Sequence, residues 1–134
     1  MESQHAARRW AETWTTAWLA HDVEAVVALY AEDCVHRSSP FRPILRGRNA
    51  VREYVAEAFA EERLVDDVRF STPTVEGHRA FVEYWANSLD RSDEPVTLAG
   101  CAIARFGDDG VIGEARDYWH LEAGHHEPPA EWGR

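Results

Sequence analysis

The stretch that decides the fold runs from Val96 to Leu121: VTLAGCAIARF, then GDDG, then VIGEARDYWHL. Gly107-Asp108-Asp109-Gly110 is a hairpin signal, because glycine and aspartate accept the backbone angles of a tight turn. Val96–Phe106 and Val111–Leu121 therefore read as two antiparallel strands. Each exceeds the ~5–6 residues of an ordinary strand. Gly100 and Gly113 interrupt them, which points to a sheet that bends strongly.

Working upstream, Asp90–Pro95 is a turn cluster, and His78–Leu89 is a further strand entered through a tight turn at Gly77. Leu64–Glu76 alternates and is rich in β-branched residues, with Pro73 marking an edge or a bulge. The first third is helical. Trp10, Trp14 and Trp18 recur every fourth residue beside Ala7, Ala11 and Ala17, giving one apolar stripe over about residues 4–20. Asp22 can cap a second helix, in which Val23, Val26, Val27 and Tyr30 share a face. Cys34 to Ser38 is a short extended segment. A third helix over about residues 49–62 carries Val51, Tyr54, Val55, Ala58 and Phe59 on one side.

Helices first and a long meander afterwards define an α+β domain. Residues 1–134 form a single domain on this reading, with 124–134 an irregular tail containing Pro128, Pro129 and Gly133. A bent sheet wrapped round helices makes a cone with a hollow inside.

Composition narrows the partners. Fourteen basic against 24 acidic side chains give a net charge of −10. Such a surface repels phosphate backbones and anionic membranes, so neither nucleic acid nor membrane is expected. No apolar run approaches the ~20 residues that span a bilayer. The N-terminus has no apolar stretch behind its charges, so no signal peptide is visible and a cytoplasmic location is expected. Cys34 and Cys101 have no CxxC spacing and read as free thiols.

Several segments carry a likeness to a known superfamily. They are Ala20-His21-Asp22, Ala28 to Val35, Gly47-Arg48 with Val51-Arg52-Glu53-Tyr54, Arg105-Phe106 with Asp109-Gly110, and Arg116-Asp117-Tyr118-Trp119. Over about residues 6–121 the chain resembles the cone-shaped fold of ketosteroid isomerase, scytalone dehydratase, nuclear transport factor 2 and the SnoaL-like polyketide cyclases. The resemblance implies a strongly bent, mostly antiparallel sheet with three helices around a cavity. It implies a small apolar or aromatic ligand and no cofactor. It does not imply one reaction, because this fold hosts unrelated functions. An ungapped reading places Ser38 or Ser39, Trp14 and Ala102 where ketosteroid isomerase needs its base and its two donors, so classical steroid isomerisation is not expected.

On the final strand, Ala115, Asp117 and Trp119 share one face. The resemblance turns that face inward, where SnoaL-like cyclases use a sheet aspartate as acid/base. Cys34, His36 and Ser38 share a face of the first short strand, which the same resemblance sets beside the last. His36 and Asp117 are thus expected within hydrogen-bond reach, directly or through one water. The carboxylate would raise the histidine pKa and make a proton-transfer pair, or else a structural ion pair. Glu83 and Trp85 are likewise expected inward, Glu83 as a desolvated acid or as a partner for Arg52 or Arg79.

Trp14, Trp18, Trp85 and Trp119 can wall a ring-shaped ligand or fill the core; Ser38, Tyr54 and Ala102 complete the expected binding set. His120-x-Glu122-x-x-His125-His126 resembles metal spacing but lies in the tail without a closed ligand set, so no metal is expected. Cys34 is a nucleophile only beside a base and otherwise a buried thiol. Ala99, Cys101 and Ile103 lie opposite the inward set Leu98, Gly100, Ala102 and Ala104; an apolar outer face predicts a homodimer. The function that follows is a small-molecule pocket protein, with cofactor-independent cyclase, isomerase or dehydratase-type proton transfer. The alternative is a non-catalytic ligand-binding or protein-interaction module.

Overall fold

The computed structural model describes residues 1–134. Three helices, α1 (Ser3–Ala20), α2 (Val23–Val27) and α3 (Arg48–Ala60), precede or interleave with seven strands. These are β1 (Tyr30–Arg37), β2 (Leu45–Arg46), β3 (Glu62–Phe70), β4 (Thr74–Glu76), β5 (Arg79–Asp90), β6 (Pro95–Phe106) and β7 (Ile112–Ala123). No helix is long and apolar enough to cross a membrane.

The tryptophan stripe buries the inner face of α1, with Ala6, Ala7 and Ala11 letting it lie close to the sheet. His21, in the left-handed region at φ 53°, stops α1. The Asp22 carboxylate then accepts from Ala25 N at 3.1 Å and starts α2. That helix is shorter than its valine spacing suggests, and Tyr30 opens β1 instead of closing α2. Two sheet contacts explain this: Tyr30 pairs with Ile112, and Ile112 N donates to Leu29 O at 2.8 Å. Ladder bonds and burial outweigh the weak helix propensity of β-branched residues. The expected strand over 64–76 divides into β3 and β4, both pairing β5, with Pro73 in the gap.

The sheet runs β2-β1-β7-β6-β5-β3, with β1 and β7 parallel and the other neighbours antiparallel. Bulges in the β1–β7, β3–β5 and β6–β7 pairings add twist and curl the sheet. Helices pack into the curl, and 22 buried residues form one core between the layers.

Register decides which side chains reach the interior. Val82 pairs with Ala102, which pairs with Asp117; Tyr84 pairs with Gly100, which pairs with Trp119. Directly paired residues share a face, so Ala80, Val82 and Tyr84 join Ala102 and Asp117 inside. This corrects the expected placement of Glu83 and Trp85, which lie on the outer face. The segment Phe81-Val82-Glu83-Tyr84-Trp85 has large apolar residues at both parities. A one-residue slip of the pattern is therefore invisible in it, yet turns every side chain over.

The outer face also carries the C-terminal tail. Residues 124–134 contain no helix or strand, but they are held to β5. Trp85 Nε1 donates to His126 O at 2.8 Å, and the Trp132 ring meets Trp85 edge-on at 6.4 Å. Gly133 N donates to Glu83 Oε1 at 3.2 Å.

Candidate acid–base site at Asp117

Asp117 stands half-buried on the inner face of β7, opposite Ala102. The Tyr84 hydroxyl donates to its Oδ1 at 2.6 Å, a short bond of the kind made to a charged acceptor. Gly100 makes that reach possible. A Cβ there would come within 2.8 Å of the Tyr84 hydroxyl and 2.3 Å of Tyr118 O. The missing side chain lets the phenol lie across β6 to the next strand.

Burial pushes the Asp117 carboxyl up from 3.8 to about 7, while the bonds from Tyr84 and the Tyr118 backbone pull it partly back. Near neutral pH the group therefore exists in both protonation states, the condition a proton donor and acceptor needs. Three phenols surround it. Burial raises the pKa of Tyr30, Tyr54 and Tyr84, and the Asp117 charge adds to the rise in each. They stay protonated.

His36 lies on β1, and its register partner on β7 is Ala115, one inward-facing position before Asp117. Its Nδ1 is 3.3 Å from the Tyr30 hydroxyl. Its ring stands edge-on to Tyr30 at 5.8 Å and tilted against Tyr54 at 5.6 Å. No direct hydrogen bond joins His36 to Asp117. Burial lowers the imidazole to about 4, the reverse of the rise expected from an ion pair. Desolvation disfavours imidazolium, and Asp117, itself poorly ionised, offers little compensating charge.

Ser38 is buried just beyond β1, and its carbonyl accepts from Trp119 Nε1. The Arg42 guanidinium lies 5.9 Å from both the Tyr54 and the Trp119 ring centroids, so it bridges α3 and β7 by cation–π contact. A hollow of about 230 Å³ opens here, lined by Ser38, Arg42, Leu45, Tyr54, Glu53 and Glu57 among others. Neither Asp117 nor His36 is on its wall.

Trp14 and Trp18 occupy an aromatic cluster deeper in the fold. Trp14 packs on Trp18, Phe59 and Phe70, and Trp18 packs on Phe70 and Tyr84. Trp18 thereby backs the phenol that holds Asp117. Its indole N–H donates to both oxygens of Glu62, at 3.0 and 3.1 Å, and Glu62 also meets His21 Nε2 at 3.0 Å. Burial raises the Glu62 pKa first of all. Sequence reasoning missed Glu62, Tyr30 and Tyr84. For Tyr84 a signal existed: a tyrosine facing a mid-strand glycine on the neighbouring strand. Burial raises the Cys34 thiol, so thiolate chemistry is disfavoured there. No group of three or more His, Cys, Asp or Glu could hold a metal ion. His125 Nε2 lies 2.9 Å from Ser88 O, and His126 Nε2 lies 2.7 Å from Ala123 O.

A curled sheet closed by three helices, with a desolvated carboxyl on its inner face, defines the cone-fold class. The SnoaL-like domain model matches residues 8–115, and the chain belongs to that family. The matched region stops two residues before Asp117. Solved structures agree on the fold. One is described as the epoxide hydrolase/cyclase-like enzyme SalBIII in pyran ring formation in the polyether salinomycin. It superposes with a TM-score of 0.77 at 19% identity, covering 91% of this chain and 98% of that one. Another, from Bacillus subtilis and provisionally named an isomerase, gives 0.74 at 19% identity over 90% of each chain. No curated protein sequence matches the chain.

Proposed function

We propose that the protein is a cofactor-independent acid–base catalyst of the cyclase, isomerase or dehydratase type, acting on a small apolar ring molecule. One observation carries the reading: a half-buried carboxyl at about 7, hydrogen-bonded by Tyr84 on the inner face of the cone. The reaction type named for SalBIII is consistent with it. Asp117 would move the proton, and Tyr84 would orient the carboxyl. Tyr54, Ser38, Ala102 and Trp119 would form the walls nearest the substrate, with Trp14 and Trp18 supporting them from behind.

Carboxyl-carbon NMR tests this directly. The Asp117 signal should titrate with a midpoint near 7, and Tyr84→Phe should move it upward, because a bond favouring the carboxylate is lost. A wild-type midpoint near 4 would remove the basis for the proposal.

The position of the hollow favours a second reading. Because Asp117 is not among its lining residues, a non-catalytic ligand-binding module of the same fold would bind there without using Asp117. Steroid isomerisation separates neither reading from the other but is expected at background in both. Ser38, Trp14 and Ala102 supply no carboxylate base and no pair of acidic donors, and such losses cost orders of magnitude. Turnover of a Δ5-3-ketosteroid well above the buffer rate would overturn that expectation.

We also propose a cytoplasmic homodimer joined through the outer sheet face. Cys101 and the 38%-exposed Tyr118 are paired on the outer face of β6 and β7, while the tail covers part of β5. Multi-angle light scattering at micromolar concentration should give twice the chain mass; a monomer there would refute the dimer.

A further inference from the structure

Two buried polar atoms have no hydrogen-bond partner, Arg9 Nε and His36 Nε2, and the second lies on β1, beside the strand that carries Asp117. His36 is 7% exposed, and its Nε2 is buried without a hydrogen-bond partner. Buried polar atoms are nearly always partnered, and leaving one unmet costs stability. The other ring nitrogen is engaged. The Tyr30 hydroxyl, 3.3 Å from Nδ1, has no other hydrogen-bonding partner, and Tyr30 is 2% exposed. A buried phenol must donate somewhere, and Nδ1 is its one acceptor. Nδ1 therefore takes the Tyr30 proton, and the neutral tautomer carries its own proton on Nε2. The unused atom is a donor.

Its surroundings point to what it meets. The Tyr54 ring that lines the hollow of about 230 Å³ also lies 5.6 Å from the imidazole. His36 sits one inward-facing position from Asp117 along the paired strands. A ring seated in that hollow and displacing the Tyr54 side chain would come up to His36, which the hollow itself does not touch. We infer that His36 Nε2–H is the hydrogen-bonding anchor for an uncharged acceptor oxygen, a ketone, ether or hydroxyl, on the ring molecule of the Asp117 site. This rests on the ring-ligand reading above and adds the oxygen to it. His36 acts as a positioning donor and not as half of a proton-transfer pair. An anionic oxygen is disfavoured, because the net charge is −10 and the imidazole is uncharged.

Two probes of matched shape test the inference: 2-acetylnaphthalene, which has an acceptor oxygen, and 2-isopropylnaphthalene, which has none. Binding is measured at pH 8, where Asp117 is mostly ionised and cannot donate to the ketone. In the wild type the ketone should bind at least tenfold more tightly. In His36→Phe that preference should fall at least fivefold, and His36→Gln, which restores an N–H donor, should recover part of it. The 15N resonance of Nε2 should shift on adding the ketone and not on adding the hydrocarbon. That arm uses the wild type alone and decides the matter even if His36→Phe fails to fold. An equal preference in wild type and His36→Phe, or an unmoved Nε2 resonance, would overturn the inference. So would the absence of binding by either probe. The Asp117 midpoint is measured without any ligand, so a midpoint near 7 beside a failed probe experiment sinks the anchor and leaves the acid–base reading standing.

Discussion

Asp117→Asn is expected to fold normally and to lose proton transfer by roughly 10²–10⁴-fold, the usual contribution of a positioned general acid or base. The expectation follows from what the change spares. Asparagine keeps the shape of the carboxyl, and its oxygen can still accept the Tyr84 hydroxyl. It cannot exchange a proton near pH 7. The loss should fall on kcat more than on KM, because the proposed ligand walls at Tyr54 and Trp119 are untouched. Steady-state rates on any compound the wild type converts are the measurement. Full turnover by the variant would show that the carboxyl at β7 is structural, and the binding-module reading would then hold.

The second large effect is on stability against pH, and here Asp117 and His36 pull in opposite directions. Asp117 has a folded pKa raised from 3.8 to about 7. The native state therefore holds its proton more tightly than the unfolded chain does. Its contribution is fully present below about pH 4 and is lost as pH rises through 7. A tenfold difference in proton affinity between the folded and unfolded chain is worth ~1.4 kcal/mol, so the whole contribution is on the order of 4 kcal/mol. His36 has a folded pKa lowered from 6.5 to about 4. Its contribution is present above 6.5 and is lost as pH falls to 4, on the order of 3 kcal/mol.

Between about pH 4 and 6.5 the two slopes nearly cancel in the wild type. Asp117→Asn should expose the histidine slope, losing ~1.4 kcal/mol relative to wild type for every tenfold rise in proton concentration across that window. His36→Gln should show the opposite, gaining relative stability as pH falls. Urea denaturation at closely spaced pH values from 4 to 8, read as differences from wild type, checks both signs. Parallel curves for wild type and both variants would mean that both groups titrate in the folded protein as they do in the unfolded chain.

The two residues also show how far the site could be read from the chain. Asp117 was legible because the period of two puts Ala115, Asp117 and Trp119 on one side and Arg116 and Tyr118 on the other, and the family resemblance turned the first set inward. His36 was legible as a neighbour but not in its charge state. Its pKa depends on Tyr30 and Tyr54 packing against it, and Tyr54 comes from a helix 18 residues away in sequence. Glu83 and Trp85 were misplaced because β5 is apolar on both faces. One face is covered by helices and the other partly by the chain's own tail. Tyr84 and Glu62 were missed for a related reason. A tyrosine beside a tryptophan, or one glutamate among several at Glu61-Glu62, carries no mark of which neighbour it will meet.

The sequence by itself determined the order of the three helices and the long strands, the tight turns at Gly77 and Gly107–Gly110, and that Asp117 shares a strand face with Ala115 and Trp119. Those follow from short-range rules: the spacing of tryptophans on a helix, the backbone freedom of glycine, and the period of two in a strand. Only the tertiary structure decided that Tyr84 reaches Asp117 across Gly100 and that Glu62 is held by Trp18 and His21. It also decided that His36 stays neutral with Nε2 free. These depend on strand register and on burial by distant elements. A one-residue shift or one added Cβ reverses them, while the local pattern of the chain stays the same.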